Sequence, residues 1–213
     1  MKFVFSIRDS ENKIFFNQMK NEYEYALFVL AVMEKILVSP NEHKKPDCAY
    51  VLLDENIFHH RIFIVSKTKI VSFVFDFNLI PSESEIPSIS FGDCVLSTEI
   101  ISCAKMIIYQ LIRTERDWIH EEDNDLRDEY NPNALDISHK LIKKIIYSEP
   151  SYIRYEYDVE HAKGSKHPLH HLDINFSEDG SYKIGVESRA HSTDIKFLMD
   201  LLNTETDCPT IQR

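Results

Sequence analysis

The chain has 213 residues, 43% of them hydrophobic and 28% charged, and a formal charge of −11 at neutral pH, a composition that can bury one large core or two small ones. Its four glycines (Gly92, Gly164, Gly180, Gly185) are scattered, which excludes the Gly-rich phosphate loops of nucleotide-binding proteins. The acidic balance argues against a broad grip on a nucleic-acid backbone, because that attraction depends on Lys and Arg releasing counterions.

Met1 to Ile7 is predicted as a short strand. Phe16, Met19, Tyr23, Ala26, Leu27, Leu30, Met33 and Leu37 then recur at helical steps until Ser39-Pro40, since the residue before proline leaves the helical region. The eight-residue apolar run Ala26 to Met33 leaves this helix no clean polar face, so it is expected at the centre of the core or at an oligomer contact. It is far shorter than the roughly 20 residues of a membrane span.

Ala49 to Leu53, Arg61 to Val65 and Ile70 to Phe77 read as a β-meander. In the last run Val71, Phe73, Phe75 and Phe77 alternate with Ser72 and Asp76, the period of a half-buried strand. Ile80 to Ser88, with two prolines and three serines, is expected to be an exposed connection. Ser97 or Thr98 can cap a helix carrying Ile100, Ile101, Ala104, Ile107, Ile108, Leu111 and Ile112 on one stripe and ending near Arg113.

Between Glu115 and Tyr130 eight acidic residues stand against two basic ones around Trp118, ahead of the Asn131-Pro132 breaker. This is either a solvated connection or an acidic strip that docks a basic protein. A helix from about Ala134 to Tyr147 turns Leu135, Ile142, Ile145 and Ile146 inward, and Pro150 ends it. The expected class is α+β, an antiparallel sheet packed against several helices. Residues 1–132 form an N-terminal α+β region, and 133–213 a helix, a three-stranded sheet and a closing helix packed with it.

Parity organises the last strands. In Tyr152 to Asp158, the side chains of Ile153, Tyr155 and Tyr157 oppose those of Arg154, Glu156 and Asp158. In Leu169 to Phe176, those of His170, Leu172, Ile174 and Phe176 oppose His171, Asp173 and Asn175, and in Ser181 to Glu187 those of Tyr182, Ile184 and Val186 oppose Lys183, Gly185 and Glu187. Asp179-Gly180 supplies a hairpin turn, and Thr193 to Leu202 a final helix that packs on the sheet. If the apolar faces share a core, the polar faces coincide, because parity holds along a strand without a bulge. His170 then points to the core side as a hydrogen-bonded histidine.

The polar face would join His171, Asp173, Glu156, Arg154 and Lys183 as a candidate catalytic set, with Arg189, His191, His167 and Asn175 as candidate substrate contacts. His171 beside Asp173 offers a base near neutral pH, and the cations can hold an anion, the parts of a hydrolase or phosphodiesterase. His171 and Asp173 can equally ligate a divalent metal. The bland alternative is an ordinary solvated sheet face with cross-strand ion pairs. His161 and His167 flank the Lys163 to Lys166 loop, where they are either simply exposed or close over a ligand. His59-His60, His43, His120 and His139 are weaker candidates.

Ile153-Arg154-Tyr155-Glu156-Tyr157-Asp158, His167-Pro168-x-x-His171-Leu172-x-Ile174 and Lys183-Ile184-x-Val186 before a closing helix resemble a family of uncharacterised bacterial proteins, domain of unknown function 2290. The resemblance covers the last third of the chain and departs at Asp173, where the family tends to have a further histidine. It implies a bacterial, cytoplasmic protein and, by analogy, a defence or toxin-type setting in which small nucleases occur. The four cysteines, without Cys-x-x-Cys spacing, and an opening without a secretory pattern also lead to the expectation of a cytoplasmic protein. A nucleotide or nucleic-acid end is the expected substrate; a non-catalytic subunit binding a basic protein, or a homo-oligomer, is the alternative.

Overall fold

In the computed structural model, residues 2–42, 47–54, 61–83, 85–114, 130–176 and 182–186 are described. The fold is α+β. A seven-stranded, wholly antiparallel sheet is built from β1 (Lys2–Ser6), β2 (Tyr50–Asp54), β3 (Arg61–Val65), β4 (Lys69–Val74), β8 (Ile153–Tyr157), β9 (His170–Ile174) and β10 (Tyr182–Gly185), in that spatial order. A small second sheet holds β5 (Asn78–Ile80), β6 (Ser88–Phe91) and β7 (Cys94–Val95). The helices are α1 (Asn12–Phe16), α2 (Glu22–Val38), α3 (Thr98–Thr114) and α4 (Pro132–Tyr147). Pairing of β4 with β8 carries the large sheet across position 132.

The long helix expected from Phe16 to Leu37 is two helices. The apolar spacing at Phe16 and Met19 is compatible with one helix, but Asn21 is extended and its Oδ1 accepts the Glu24 amide at 3.0 Å, starting α2 afresh. Glu24 answers by accepting the Lys20 amide at 2.8 Å. Within α2, Ala26, Phe28, Val29, Leu30, Val32, Met33 and Ile36 are buried, so the helix without a polar face is a core helix. Ser97 caps α3 through the Ile100 amide (3.3 Å), and Asn131-Pro132 opens α4, with Asn131 Oδ1 accepting the Asn133 amide at 2.9 Å. Ser138 Oγ ties α4 to α3 by donating to the Ile100 carbonyl at 2.9 Å.

The sheet separates two apolar layers. Phe3, Phe5, Val51, Leu53, Ile62, Ile64, Val71 and Phe73 face the large core shared with α2, α3 and α4. Val4, Tyr50, Leu52, Phe63, Val65, Ile70, Tyr155 and Leu172 form a second cluster on the other side. Full burial of each such side chain is worth about 1.5–3 kcal/mol. β4 is therefore buried on both faces, Ser72 included, rather than half-buried as its alternation suggests. Ser72 is tolerated there because its Oγ accepts from Arg61 Nε at 2.8 Å, while Arg61 also donates to the Ser151 carbonyl at 2.5 Å.

β9 ends at Ile174, and Asn175 takes a positive φ of 59°. That left-handed residue reverses the expected parity. Phe176 crosses to the helical side, where its ring lies 5.1 Å from Tyr25 and 6.1 Å from Tyr152. Among the described residues no helix is long and apolar enough to cross a membrane. The expected closing helix Thr193 to Leu202, the acidic segment around Trp118 and the Asp179-Gly180 turn lie outside the described residues.

Candidate active site

One row of side chains crosses the whole sheet on its helical side. Phe5, Val51, Ile64, Val71, Arg154, Asp173 and Lys183 stand opposite one another from β1 to β10. Four apolar positions are followed by three charged ones. The next row brings Lys69, Glu156, His171 and Gly185 into line on the same face. Strand register thus gathers Arg154, Glu156, His171, Asp173 and Lys183.

The gathered groups bond to one another. Arg154 donates to Asp173 Oδ2 from Nε (3.1 Å) and Nη2 (2.5 Å), and its Nη2 lies 3.3 Å from Glu156 Oε2. Lys69 Nζ lies 2.6 Å from Glu156 Oε1. Lys183 Nζ donates to Asp173 Oδ1 at 2.8 Å and lies 3.1 Å from His171 Nε2. On the other edge of the imidazole, Nδ1 faces the Pro168 carbonyl at 3.0 Å. A carbonyl can only accept, so Nδ1 carries a proton, and the Lys183 ammonium can only donate, so Nε2 presents its lone pair to the cluster.

This face is buried. His171 is 0% exposed, Asp173 2% and Arg154 5%, whereas the side chains of Lys69 and Lys183 are about one third exposed. An ordinary solvated face is therefore not what the chain builds here. Pro168 helps to cover it: a Cβ at Gly185, the partner of His171, would lie 3.0 Å from Pro168 Cγ, so only glycine admits this close approach without a shift. Burial pushes the His171 imidazole below its ordinary pKa, reinforced by Lys183 and opposed by the Pro168 hydrogen bond and the two carboxylates. Burial alone would raise the Asp173 carboxyl, but Lys183 and Arg154 outweigh it and hold the group below its ordinary range.

Asp158, the next acidic position of β8's polar parity, serves the adjoining loop. It accepts the His161 amide at 3.1 Å, contacts His161 Nδ1 at 3.0 Å and lies 3.1 Å from His167 Nε2. Desolvation, which raises its pKa, is outweighed by these bonds, His161's before His167's, and the carboxyl is lowered to about 2. The His167 ring then meets His171 edge-on, with centroids 4.8 Å apart. His167 therefore borders the cluster.

Asn175 lies just past the end of β9 with a positive φ and is exposed, off the strand parity that gathers the cluster. Arg189, His191 and Glu187 lie outside the described residues, as do His43, His59, His60 and His120. His170 points to the second apolar layer as its parity requires, half-buried, with Nδ1 2.8 Å from the Tyr155 hydroxyl and its ring stacked on Tyr157. Lys69 and the Pro168 carbonyl were not legible as site groups. Lys69 meets Glu156 through the β4–β8 pairing of distant segments, and a carbonyl has no sequence signature. Tyr152, two residues before Arg154, is buried with a hydroxyl that has no hydrogen-bond partner among the described residues.

Among the described residues Glu156, His171 and Asp173 form a group able to hold a metal ion, with one ligand atom from each all within 4.8 Å of one another. Imidazole and carboxylate are donors for first-row transition metals. Comparison with protein-family models, curated proteins and solved structures finds no match in any of the three.

Proposed function

We propose that this chain is a small cytoplasmic hydrolase acting on phosphoesters, a phosphodiesterase or nuclease-like enzyme of a bacterial defence or toxin-type system, with the Arg154–Glu156–His171–Asp173–Lys183 cluster as its working site. The observation that carries the reading is His171: a neutral imidazole whose tautomer is fixed by Pro168 and whose Nε2 lone pair faces an ammonium and two carboxylates. Such a nitrogen can take a proton from water attacking phosphorus, or hold a metal that activates the water. Lys183 is the partly exposed cation nearest to it and would meet the phosphate. Arg154 lies deeper and holds the carboxylates in place. The resemblance of the last third to domain of unknown function 2290 supports the bacterial setting, and the −11 charge favours a nucleotide or a strand end over a long duplex.

Purified protein assayed with bis(p-nitrophenyl) phosphate and end-labelled single-stranded oligonucleotides tests the reading. Hydrolysis by the wild type, reduced at least a hundredfold in a folded His171→Gln variant, is the expected result. Equal turnover in the variant would remove the cluster from the reaction.

A second reading is favoured by burial. Every charged member of the cluster is already paired, as in a structural ion network, which suits a non-catalytic subunit that docks a basic partner through the acidic segment 115–130 instead. Unaltered biological activity in His171→Gln would select it.

A further inference from the structure

We propose that Glu156, His171 and Asp173 bind one divalent first-row metal ion, and that the Lys183 ammonium competes for the same place and is displaced when the ion enters. The proposal rests on the cluster being the working site and names its cofactor class. The first argument is geometric. Metal bonds of about 2.0–2.2 Å to nitrogen and oxygen require ligand atoms roughly 3–4 Å apart. His171 Nε2 and Asp173 Oδ2 are 3.9 Å apart, and the whole three-ligand set falls within 4.8 Å, so a sub-ångström closure completes it.

The second argument is the support around the ligands. Metal-bound histidines characteristically donate their other N–H to a carbonyl or carboxylate, and ligating carboxylates are themselves hydrogen-bonded. His171 Nδ1 is bonded to the Pro168 carbonyl, Asp173 to Arg154, and Glu156 to Lys69 and Arg154. The arrangement that orients a metal site is already built. It does not depend on Lys183.

Lys183 supplies the third argument. Its Nζ lies 2.8 Å from Asp173 Oδ1 and 3.1 Å from His171 Nε2, so a positive charge already sits against two of the three ligands. Three cations (Arg154, Lys69, Lys183) then face two carboxylates, and a metal ion arriving with Lys183 in place would meet net repulsion. Lys183 is a flexible, one-third-exposed side chain on the edge strand, free to swing toward water, as the buried Arg154 is not. Tyr152, just before β8 and on the same face as Arg154 and Glu156, has a buried hydroxyl without a hydrogen-bond partner among the described residues.

Mn²⁺ binding followed by electron paramagnetic resonance tests this, with near-ultraviolet circular dichroism to confirm folding. A Lys183→Met variant is expected to bind one Mn²⁺ per chain at least tenfold more tightly than the wild type, and Lys183→Met combined with Asp173→Asn to lose that site. Equal affinity in Lys183→Met and wild type, or an unchanged site in the double variant, would overturn the proposal. Should Lys183→Met fail to fold, wild-type protein at saturating Mn²⁺ decides: ¹⁴N modulation from a bound imidazole is expected and vanishes in His171→Gln, and its absence from the wild type refutes the site. The two readings separate cleanly. His171-dependent hydrolysis that persists in excess EDTA would sink the metal and leave the reaction standing, whereas a bound ion without any phosphoester turnover would do the reverse.

Discussion

Val71 and Arg154 stand directly opposite each other on β4 and β8, on the same face of one sheet, and between them the lining of that face changes from hydrocarbon to ion pairs. Breaking the ionic side has a large expected cost. Arg154→Met leaves Asp173 with Lys183 and Glu156 with Lys69 among the ion pairs described, and removes the buried guanidinium that both carboxylates share. A loss of about 3–5 kcal/mol is expected in urea denaturation, as for other buried pairs broken from one side. Adding Asp173→Leu, which removes the stranded charge, should restore more than half of it. A single variant as stable as the wild type would show that the pair is not buried in solution.

Stability should also carry a histidine signature. The folded His171 has a pKa below its ordinary value of 6.5, first through burial and then through Lys183. Between the lowered pKa and 6.5 the unfolded chain binds more protons than the folded one, so stability rises with pH across that window. The contribution is complete above about 6.5 and is lost as pH falls through the folded pKa. Urea midpoints measured from about pH 4.5 to 7.5 should climb with pH in the wild type and climb less in His171→Gln. Parallel slopes in the two proteins would place this imidazole in water.

The left-handed turn at Asn175 can be tested by backbone chemistry alone. Asparagine tolerates a φ of 59° better than most residues, glycine better still. Asn175→Gly is expected to be within about 0.5 kcal/mol of the wild type, and Asn175→Ala to cost about 1 kcal/mol. Phe176 follows it directly in the chain, so ring-current shifts between Phe176 and Tyr25 should weaken in the alanine variant. An alanine variant equal to glycine would mean that the parity reversal is not required.

Much of the site was already written in local pattern. Two-residue alternation in β8, β9 and β10 assigned Arg154, Glu156, His171, Asp173 and Lys183 to one face, because a strand turns successive side chains to opposite sides whatever it packs against. The stripe on α3 and the helix at α4 were legible for the same reason: periodicity is a property of the chain itself. Where local pattern failed, a single residue redirected the chain. Asn21 restarted a helix whose apolar spacing continued through it, and Asn175 sent Phe176 to the other side of the sheet.

What tertiary structure alone decided was the company the polar face keeps. Alternation cannot say whether a polar face meets water or protein, since both give the same sequence period. Pairing of β8 with β4 set Arg154 beside Val71 and Lys69 beside Glu156, and Pro168 folding over Gly185 helped close His171 from water. Residues distant along the chain had to meet before burial could shift an imidazole or bring an ammonium against it. The sequence by itself therefore determined which side chains share a face, and long-range strand pairing determined that the face is a largely buried, ion-paired cluster.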